Sequence, residues 1–518
     1  MNPPFDAIVI GSGIGGLAAA AGLATCGKRA LVLERHSRPG GLTQTFERAG
    51  WRFNVGVHYL GGFGPDEPNR RVLDHLAGGR IEMAPIIGAY DRIRMPGLTL
   101  PFAPPRAALV TVLEEAFPQE AAGIARYFDA VDRAAKAMTS VFMARNMPGP
   151  LARPFEWFRR GDVERWVGRT TWEVVQECAA DSRLQAVLTS QWMDYGSRPT
   201  ESSFGAHALV TRSYLDGAWY PVGGSGVFAR ELGRTIEQAG GAIRTGAEVI
   251  GIDVESRRVT GVRLRGGERI AAPCVISDAG AHNTMRLLPS GEVDYDWAQD
   301  VAELAASTGY VGLYLGLEGD IARAGADPAN TWAYETWDVN RSWDDPEHEP
   351  RAPALFIAFP SLRDPAHDPG PQQRHTCEIV ALVNWSAFSR WDHSDADGGM
   401  APGSATREAG YAALKERLKQ SLLAQFAEQF PALAPMVRLA EASTPVTVAS
   451  YTGAEHGAMY GLATTPQRFL TPALRPRTPI GGLLLAGQDA CTPGVTGAMM
   501  GGLMAAAHLE PQLWRLIG

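Results

Sequence analysis

The apolar residues come in two rhythms. Short unbroken runs, Ala7 to Ile10, Ala30 to Leu33 and Leu483 to Leu485, have the length and flanking glycines of strands buried on both faces. Between them lie stretches with helical spacing or small-residue composition: Leu17 to Ala24, Val227 to Ala239 (closed by Gly240-Gly241) and Met499 to Ala507. Ala242 to Thr245 and Ala247 to Ile252 are strand-like. Val259 to Leu264 and Arg269 to Ile276 fit a hairpin around Arg265-Gly266-Gly267-Glu268. Elsewhere Arg106 to Thr139 is helical in pattern. Tyr310 to Leu317, Ala354 to Phe359 and Glu378 to Trp385 read as strands, and Tyr411 to Phe430 reads as an amphipathic helix. Strands alternating with helices predict an α/β chain.

At 518 residues the chain is long enough for two or three units. Hydrophobic residues make up 45% and charged residues 20%, which predicts a folded protein. A net charge of -8 argues against a general nucleic-acid binder. The N-terminus shows no basic segment before an apolar one, and no apolar run reaches the ~20 residues of a membrane span. The 5 cysteines are scattered without a CxxC pair, which fits reduced thiols in a cytoplasmic protein. No His/Cys spacing suggests a metal site.

The first strand runs into Gly11-Ser12-Gly13-Ile14-Gly15-Gly16 and a small-residue helix. In such a turn the first glycine permits the bend and the second lets the backbone approach a pyrophosphate. The third lets helix and strand pack closely, and the helix N-terminus faces the phosphates. The second strand ends at Glu34, near the ~20-residue distance at which an acid holds ribose hydroxyls. Together these predict a dinucleotide site, a stronger signal than the glycine motif alone. The pair Gly40-Gly41, followed by Leu42 and Thr43, favours FAD over a nicotinamide cofactor. Arg35 and Arg38 stand near enough in sequence to reach phosphate or ribose, or to be solvated loop charges.

The far end repeats the chemistry. Leu485-Ala486-Gly487-Gln488-Asp489 ends a strand, and Gly497 and Ala498 open a helix. Asp489 is expected to accept from a ribityl hydroxyl, and the amides near Gly497 and Ala498 to meet pyrophosphate or the flavin edge. The arrangement resembles that of two-dinucleotide-fold flavoproteins, a resemblance that implies backbone contacts to the adenine from the strand holding Val249.

Beyond these motifs the chain resembles the phytoene desaturase, carotenoid isomerase and retinol saturase family. The resemblance is carried by Phe53-Asn54-Val55-Gly56-Val57-His58-Tyr59-Leu60-Gly61, Asp194-Tyr195-Gly196, Tyr220-Pro221 before Gly223-Gly224, Thr444-Pro445, Tyr460-Gly461 and Thr492-Pro493-Gly494. Asn54 stands where an acid is common. The resemblance implies a discontinuous Rossmann-like FAD unit of the two-dinucleotide-binding type, formed by residues 1–65, 220–299 and 471–518. A mixed-sheet and helical substrate unit would take 66–219 and 300–470. It also implies an oxidoreductase that exchanges hydride between flavin N5 and a carbon–carbon bond of a lipophilic polyene or isoprenoid, with saturation, desaturation and isomerisation all open. No second glycine motif supplies a nicotinamide site, so an external electron donor or acceptor is expected. An amine oxidase-like enzyme with a polar substrate, or a non-catalytic escort of prenylated proteins, are the alternatives.

Catalysis at a carbon–carbon bond also needs a proton donor or acceptor. His58 and Tyr59 are the preferred pair, with Tyr460 as a third candidate; Asp194, Tyr214 and His456 belong to the wider set. Residues 137–160 combine Met138, Phe142, Met143, Leu151, Trp157 and Phe158 with Arg145, Arg153, Arg159 and Arg160. Such a segment suits peripheral membrane contact, a lid or a dimer face.

Overall fold

The computed structural model describes residues 5–289, 291, 295–391 and 405–517. Residues 1–4, the N-terminal stretch read above as carrying no leader, lie outside the described residues.

Five short strands form one parallel sheet in the order Ala242–Arg244, Ala30–Leu33, Ala7–Ile10, Val275–Ser277, Leu483–Leu485. Alternate residues serve opposite faces. Ala7, Val9, Ala30, Val32, Ile276 and Leu484 enter one core, and Ile8, Ile10, Leu31, Leu33, Val275 and Leu483 enter the other. This is why the runs carry no polar alternation: both faces are covered. Helices Ile14–Thr25 and Gly494–Ala507 cross closely because both are built from small residues. A Cβ on Gly502 would run into the Gly15 carbonyl oxygen.

Two sequence expectations change here. The hairpin ends at Ala271, and Val275–Ser277 leaves it to join the parallel sheet. Pro273 lies between, and proline cannot donate to a ladder. The boundary at 65/66 also moves. Helix Pro68–Ala77 buries Val72, Leu73, Leu76 and Ala77 in the parallel-sheet core, together with Ile81 and Met83. Its polar residues face outward, so sequence alone does not show which core the apolar face joins.

The second layer is a seven-stranded sheet in the order Val437–Ser443, Gly309–Glu318, Arg374–Val383, Ala354–Ala358, Asn330–Tyr334, Asp91–Met95, Leu98–Phe102. It is mixed: Asn330–Tyr334 pairs parallel to Asp91–Met95, and the other neighbours are antiparallel. Helix Ala405–Gln429 covers one face. Helices Arg106–Ala116, Ala121–Asn146, Thr171–Cys178 and Phe204–Tyr214 pack on the other. The single helical stretch expected at 106–139 breaks at Phe117-Pro118, where proline disfavours helical geometry in the residue before it.

Residues 137–160 split into the end of Ala121–Asn146 and the helix Gly149–Trp166, with Pro148 between them. Met138 and Phe142 are core residues. Arg145 is not part of a basic surface: it is buried and donates to the carbonyls of Arg468 and Phe469. Trp157 and Phe158 are 78% and 76% exposed, and Leu151 and Met143 are also exposed. Among the described residues no helix is long and apolar enough to cross a membrane.

Candidate cofactor and active site

One cavity of ≈ 400 Å³ runs along the C-terminal edge of the parallel sheet. Its wall is drawn from the three separated segments and from the loop that carries Tyr460.

At one end the glycine turn leaves room that side chains would fill. A Cβ on Gly13 would lie 2.7 Å from Asp278 Oδ2, and one on Gly41 would lie 3.1 Å from the Gly13 Cα. Gly11, Gly13, Ile14 and Gly15 line the cavity, as do Gly41, Leu42 and Thr43. Gly16 and Gly40 stand behind them. A Cβ on Gly16 would meet the Gly11 carbonyl oxygen, and Gly40 donates to Ser12 Oγ at 3.1 Å with φ +121. Backbone amides at a helix start, unobstructed by side chains, suit phosphate.

Glu34 also lines the cavity. Its carboxylate accepts from Ser12 N and Ser12 Oγ at 3.0 and 2.5 Å and from His36 N at 2.7 Å. This fixes the acid at the strand end, and lone pairs remain for ribose hydroxyls. Arg35 and Val249 line the same end; Arg35 donates to the Ser450 carbonyl.

In the tail segment Asp489 and Ala498 line the cavity, whereas Gly487 and Gly497 pack behind it. Asp489 is less free than expected. One oxygen accepts from Ala281 N at 2.8 Å and the other from Leu462 N at 3.0 Å. It therefore ties the middle segment to the Tyr460 loop, and a sugar hydroxyl can take only its remaining lone pairs.

Three cavity residues escaped the sequence reading. Asp278, just past the strand Val275–Ser277, accepts from Gly16 N at 2.7 Å. Burial pushes its carboxyl up to about 7. His282 and Glu455 form a pair of 2.6 Å on the cavity wall. That hydrogen bond raises the imidazole and holds the Glu455 carboxyl down at about 2. Asp278 follows a strand in the Ser-Asp-Ala-Gly phrase, and its role arises only when that strand lies beside Ala7–Ile10.

Of the three catalytic candidates only Tyr460 lines the cavity. His58 turns away, with Nδ1 2.9 Å from Glu378 Oε2 and its ring on Phe356 at 4.9 Å. Glu378 is almost wholly buried, and its other oxygen accepts from Asn54 N at 2.8 Å. Asn54 also donates to Tyr220 Oη and accepts from Ser225 N and Oγ. An acid at position 54 would confront Glu378; a neutral amide satisfies it. Tyr59 is buried, stacked on Tyr214 at 4.5 Å. Its hydroxyl meets Asp194 and Asp91. Thus the structure separates His58 from Tyr59 and Tyr460: in the bent stretch between the strands Trp51–Asn54 and Leu60–Gly61, the His58 ring goes to Glu378 and Phe356 and the Tyr59 ring to Tyr214. His456 is exposed and stacks on Trp385. Among the described residues no group of three or more His, Cys, Asp and Glu could hold a metal.

The donor set fits FAD: side-chain-free amides for two phosphates, a fixed carboxylate for ribose, and a cavity that continues past them to Tyr460. A family model for an NAD(P)-binding Rossmann-like domain matches residues 9–76. The chain is 31% identical over 98% of its length to an all-trans-retinol 13,14-reductase of Rattus norvegicus, covering 85% of that protein. It is 25% identical over 98% of its length to a chloroplastic prolycopene isomerase of Daucus carota, covering 80% of that protein. Its fold matches the solved cyclohexylamine oxidase of Brevibacterium oxydans IH-35A with a TM-score of 0.61 at 18% identity, covering 99% and 100% of the two chains.

Proposed function

The chain belongs to the all-trans-retinol 13,14-reductase family of oxidoreductases, and from that premise we propose that it uses FAD to saturate a carbon–carbon double bond of a lipophilic polyene or isoprenoid. What supports this most is the single cavity that joins Glu34 and the glycine turn to Tyr460. FAD, when bound, supplies hydride exchange at its N5. The chain's own part is to hold and orient. The amides from Gly13 to Gly15 and around Gly41 would take the pyrophosphate, Glu34 the ribose, and Val249 the adenine end. Met459 and Tyr460 wall the inner end. Residues 1–65, 220–299 and 471–518, extended by 66–83, act as the cofactor unit, and the mixed sheet with its helices acts as the substrate unit.

Saturation is preferred to isomerisation because the reductase relative is 31% identical and the isomerase relative 25%. An external reductant restores the flavin. The exposed Trp157, Phe158 and Leu151 on helix Gly149–Trp166 would rest on a membrane surface, from which such a substrate is drawn. Amine oxidation remains the competing reading, on the fold likeness alone.

The deciding experiment is anaerobic. Purified protein loaded with FAD is reduced, mixed with all-trans-retinol, and followed at the flavin absorption band. Reoxidation with a saturated product supports the proposal. Bleaching of the oxidised form by a polyene would reverse the direction, and bleaching by an amine would replace the reading. Protein that stays colourless with excess FAD ends it.

A further inference from the structure

Behind the wall that carries Tyr460 lies a buried hydrogen-bond group with one proton too few if its acids are both ionised. The Tyr59 hydroxyl oxygen is 2.8 Å from Asp194 Oδ2 and 3.1 Å from Asp91 Oδ2. A phenol has a single hydrogen to donate. Two short contacts to carboxyl oxygens therefore require a hydrogen on one of the acids. The neighbours decide which. Asp91 also accepts from Gln191 Nε2 at 2.6 Å and Asn330 Nδ2 at 2.7 Å. Behind Asn330 stands buried Arg363, whose Nη2 donates to the Asn330 side-chain oxygen at 2.5 Å. Burial raises the Asp91 carboxyl, but the donors around it oppose that and make it the better held of the two acids as a carboxylate. Asp194 faces phenols: Tyr59 and Tyr214 at hydrogen-bond range, with Tyr334 and Tyr460 close enough to feel its charge.

The position of Asp194 matches a use for that proton. Asp194 ends the turn Ser190–Asp194 and, unlike Asp91, keeps some accessible surface. Two residues on, Gly196 packs against the Tyr460 ring so closely that a Cβ there would lie 2.6 Å from Tyr460 Cδ2. Tyr460 lines the cofactor cavity.

We infer that the Asp91–Tyr59–Asp194 group is the proton store of the reduction, with Asp194 as its donor toward the double bond. This rests on the reductase reading above. One carbon of the bond receives hydride, two electrons and a proton, from the reduced flavin. The π pair then forms the second C–H bond with a proton passed from Asp194 across the wall that carries Tyr460. Asp194 is left as a carboxylate beside ionised Asp91, the state it least tolerates, and takes a proton back from water. The flavin is oxidised, the substrate is reduced, and the external reductant closes the cycle. Burial, followed by the Asp91 charge, pushes Asp194 up to about 8, so the acid form is the resting one at neutral pH.

The test uses FAD-loaded wild type, Asp194→Asn and Asp91→Asn, with two readouts. Infrared titration of each protein without substrate looks for the carbonyl stretch of a protonated carboxylic acid. A component that is lost as pH rises through about 8 is expected in wild type and missing in Asp194→Asn, whereas the Asp278 carboxyl, pushed up to about 7, gives a component that both proteins share and that Asp278→Asn removes. Single-turnover reoxidation of reduced enzyme by all-trans-retinol is expected to fall about 10²- to 10⁴-fold in Asp194→Asn, the range of a general acid. Wild type should lose rate as pH rises through about 8. Asp91→Asn removes the like charge, so its alkaline loss should move to lower pH. A wild-type rate and pH profile in Asp194→Asn, or persistence in it of the acid band titrating through about 8 when Asp278 is also replaced by Asn, overturns the inference. If wild type itself does not react with retinol, the reductase reading fails. The infrared titration then decides alone whether Asp194 stores a proton.

Discussion

The parallel-sheet region and the mixed-sheet region hold their polar groups with different material. The parallel-sheet region uses backbone: three- and four-residue strands, glycines at the turn, and amides left bare because side chains are missing. Its carboxylates, Glu34, Asp278 and Asp489, are each held by backbone amides. The mixed-sheet region uses side chains: Asp91, Asp194, Glu378 and Arg363 are held by one another or by tyrosines and amides, deep in a large aromatic core. A dinucleotide can be gripped by backbone because phosphates and ribose are the same in every molecule. A proton must sit on a titratable group, and its acidity depends on what surrounds that group.

If the contrast holds, the largest loss comes from adding one side chain to the backbone half. Gly16→Val should give protein that binds no FAD, since a Cβ at Gly16 would meet the Gly11 carbonyl oxygen. The absorbance of protein purified in excess FAD reads this directly, and a stoichiometric yellow variant would break the comparison. Glu34→Ala should retain FAD but weaken it by about one to two orders of magnitude, the worth of a hydrogen bond to a charged group. Titration calorimetry gives the number.

Asp278 sharpens the contrast, because it is a side chain within the backbone half. Burial raises its folded value to about 7, above the ordinary carboxylate range, so folding takes up a proton between roughly pH 4 and 7. Stability should therefore fall as pH rises through that window. FAD affinity should also fall toward alkaline pH, by at most about tenfold per pH unit, as the carboxylate forms beside the phosphate cradle. Asp278→Asn should flatten both profiles and tighten FAD at pH 8. Unchanged slopes would show that Asp278 is ionised throughout. The smallest effect on the fold belongs to the exposed aromatics. Trp157→Ser with Phe158→Ser should shift folding stability by no more than about 0.5 kcal/mol per site, as for other surface changes. The same variant should lose sedimentation with anionic liposomes. Retained sedimentation would leave the patch without a lipid role.

The backbone half was the legible half. Gly11, Gly13, Gly16 and Glu34 stand at spacings that one strand–turn–helix–strand unit explains, so local geometry and sequence coincide. Boundaries were less legible. Helix Pro68–Ala77 announces an apolar face, but not that the face joins the parallel-sheet core. Arg145 looked like a surface charge within an apolar segment and is instead held inside by carbonyls. The roles of His58 and Tyr59 were not separable from their adjacency, yet one turns to Glu378 and the other to Asp194.

By itself, then, the sequence determined the α/β class, the dinucleotide turn and the acid that follows it, because each is set by residues within about 30 positions of one another. Tertiary structure alone decided which acids share a proton. Tyr59 is 32 residues from Asp91 and 135 from Asp194, and the cluster exists only where the mixed sheet, the turn at Ser190–Asp194 and the segment after Asn54 meet. Acidity there follows from burial and neighbouring charge, and neither is a property of a residue until the chain has folded around it.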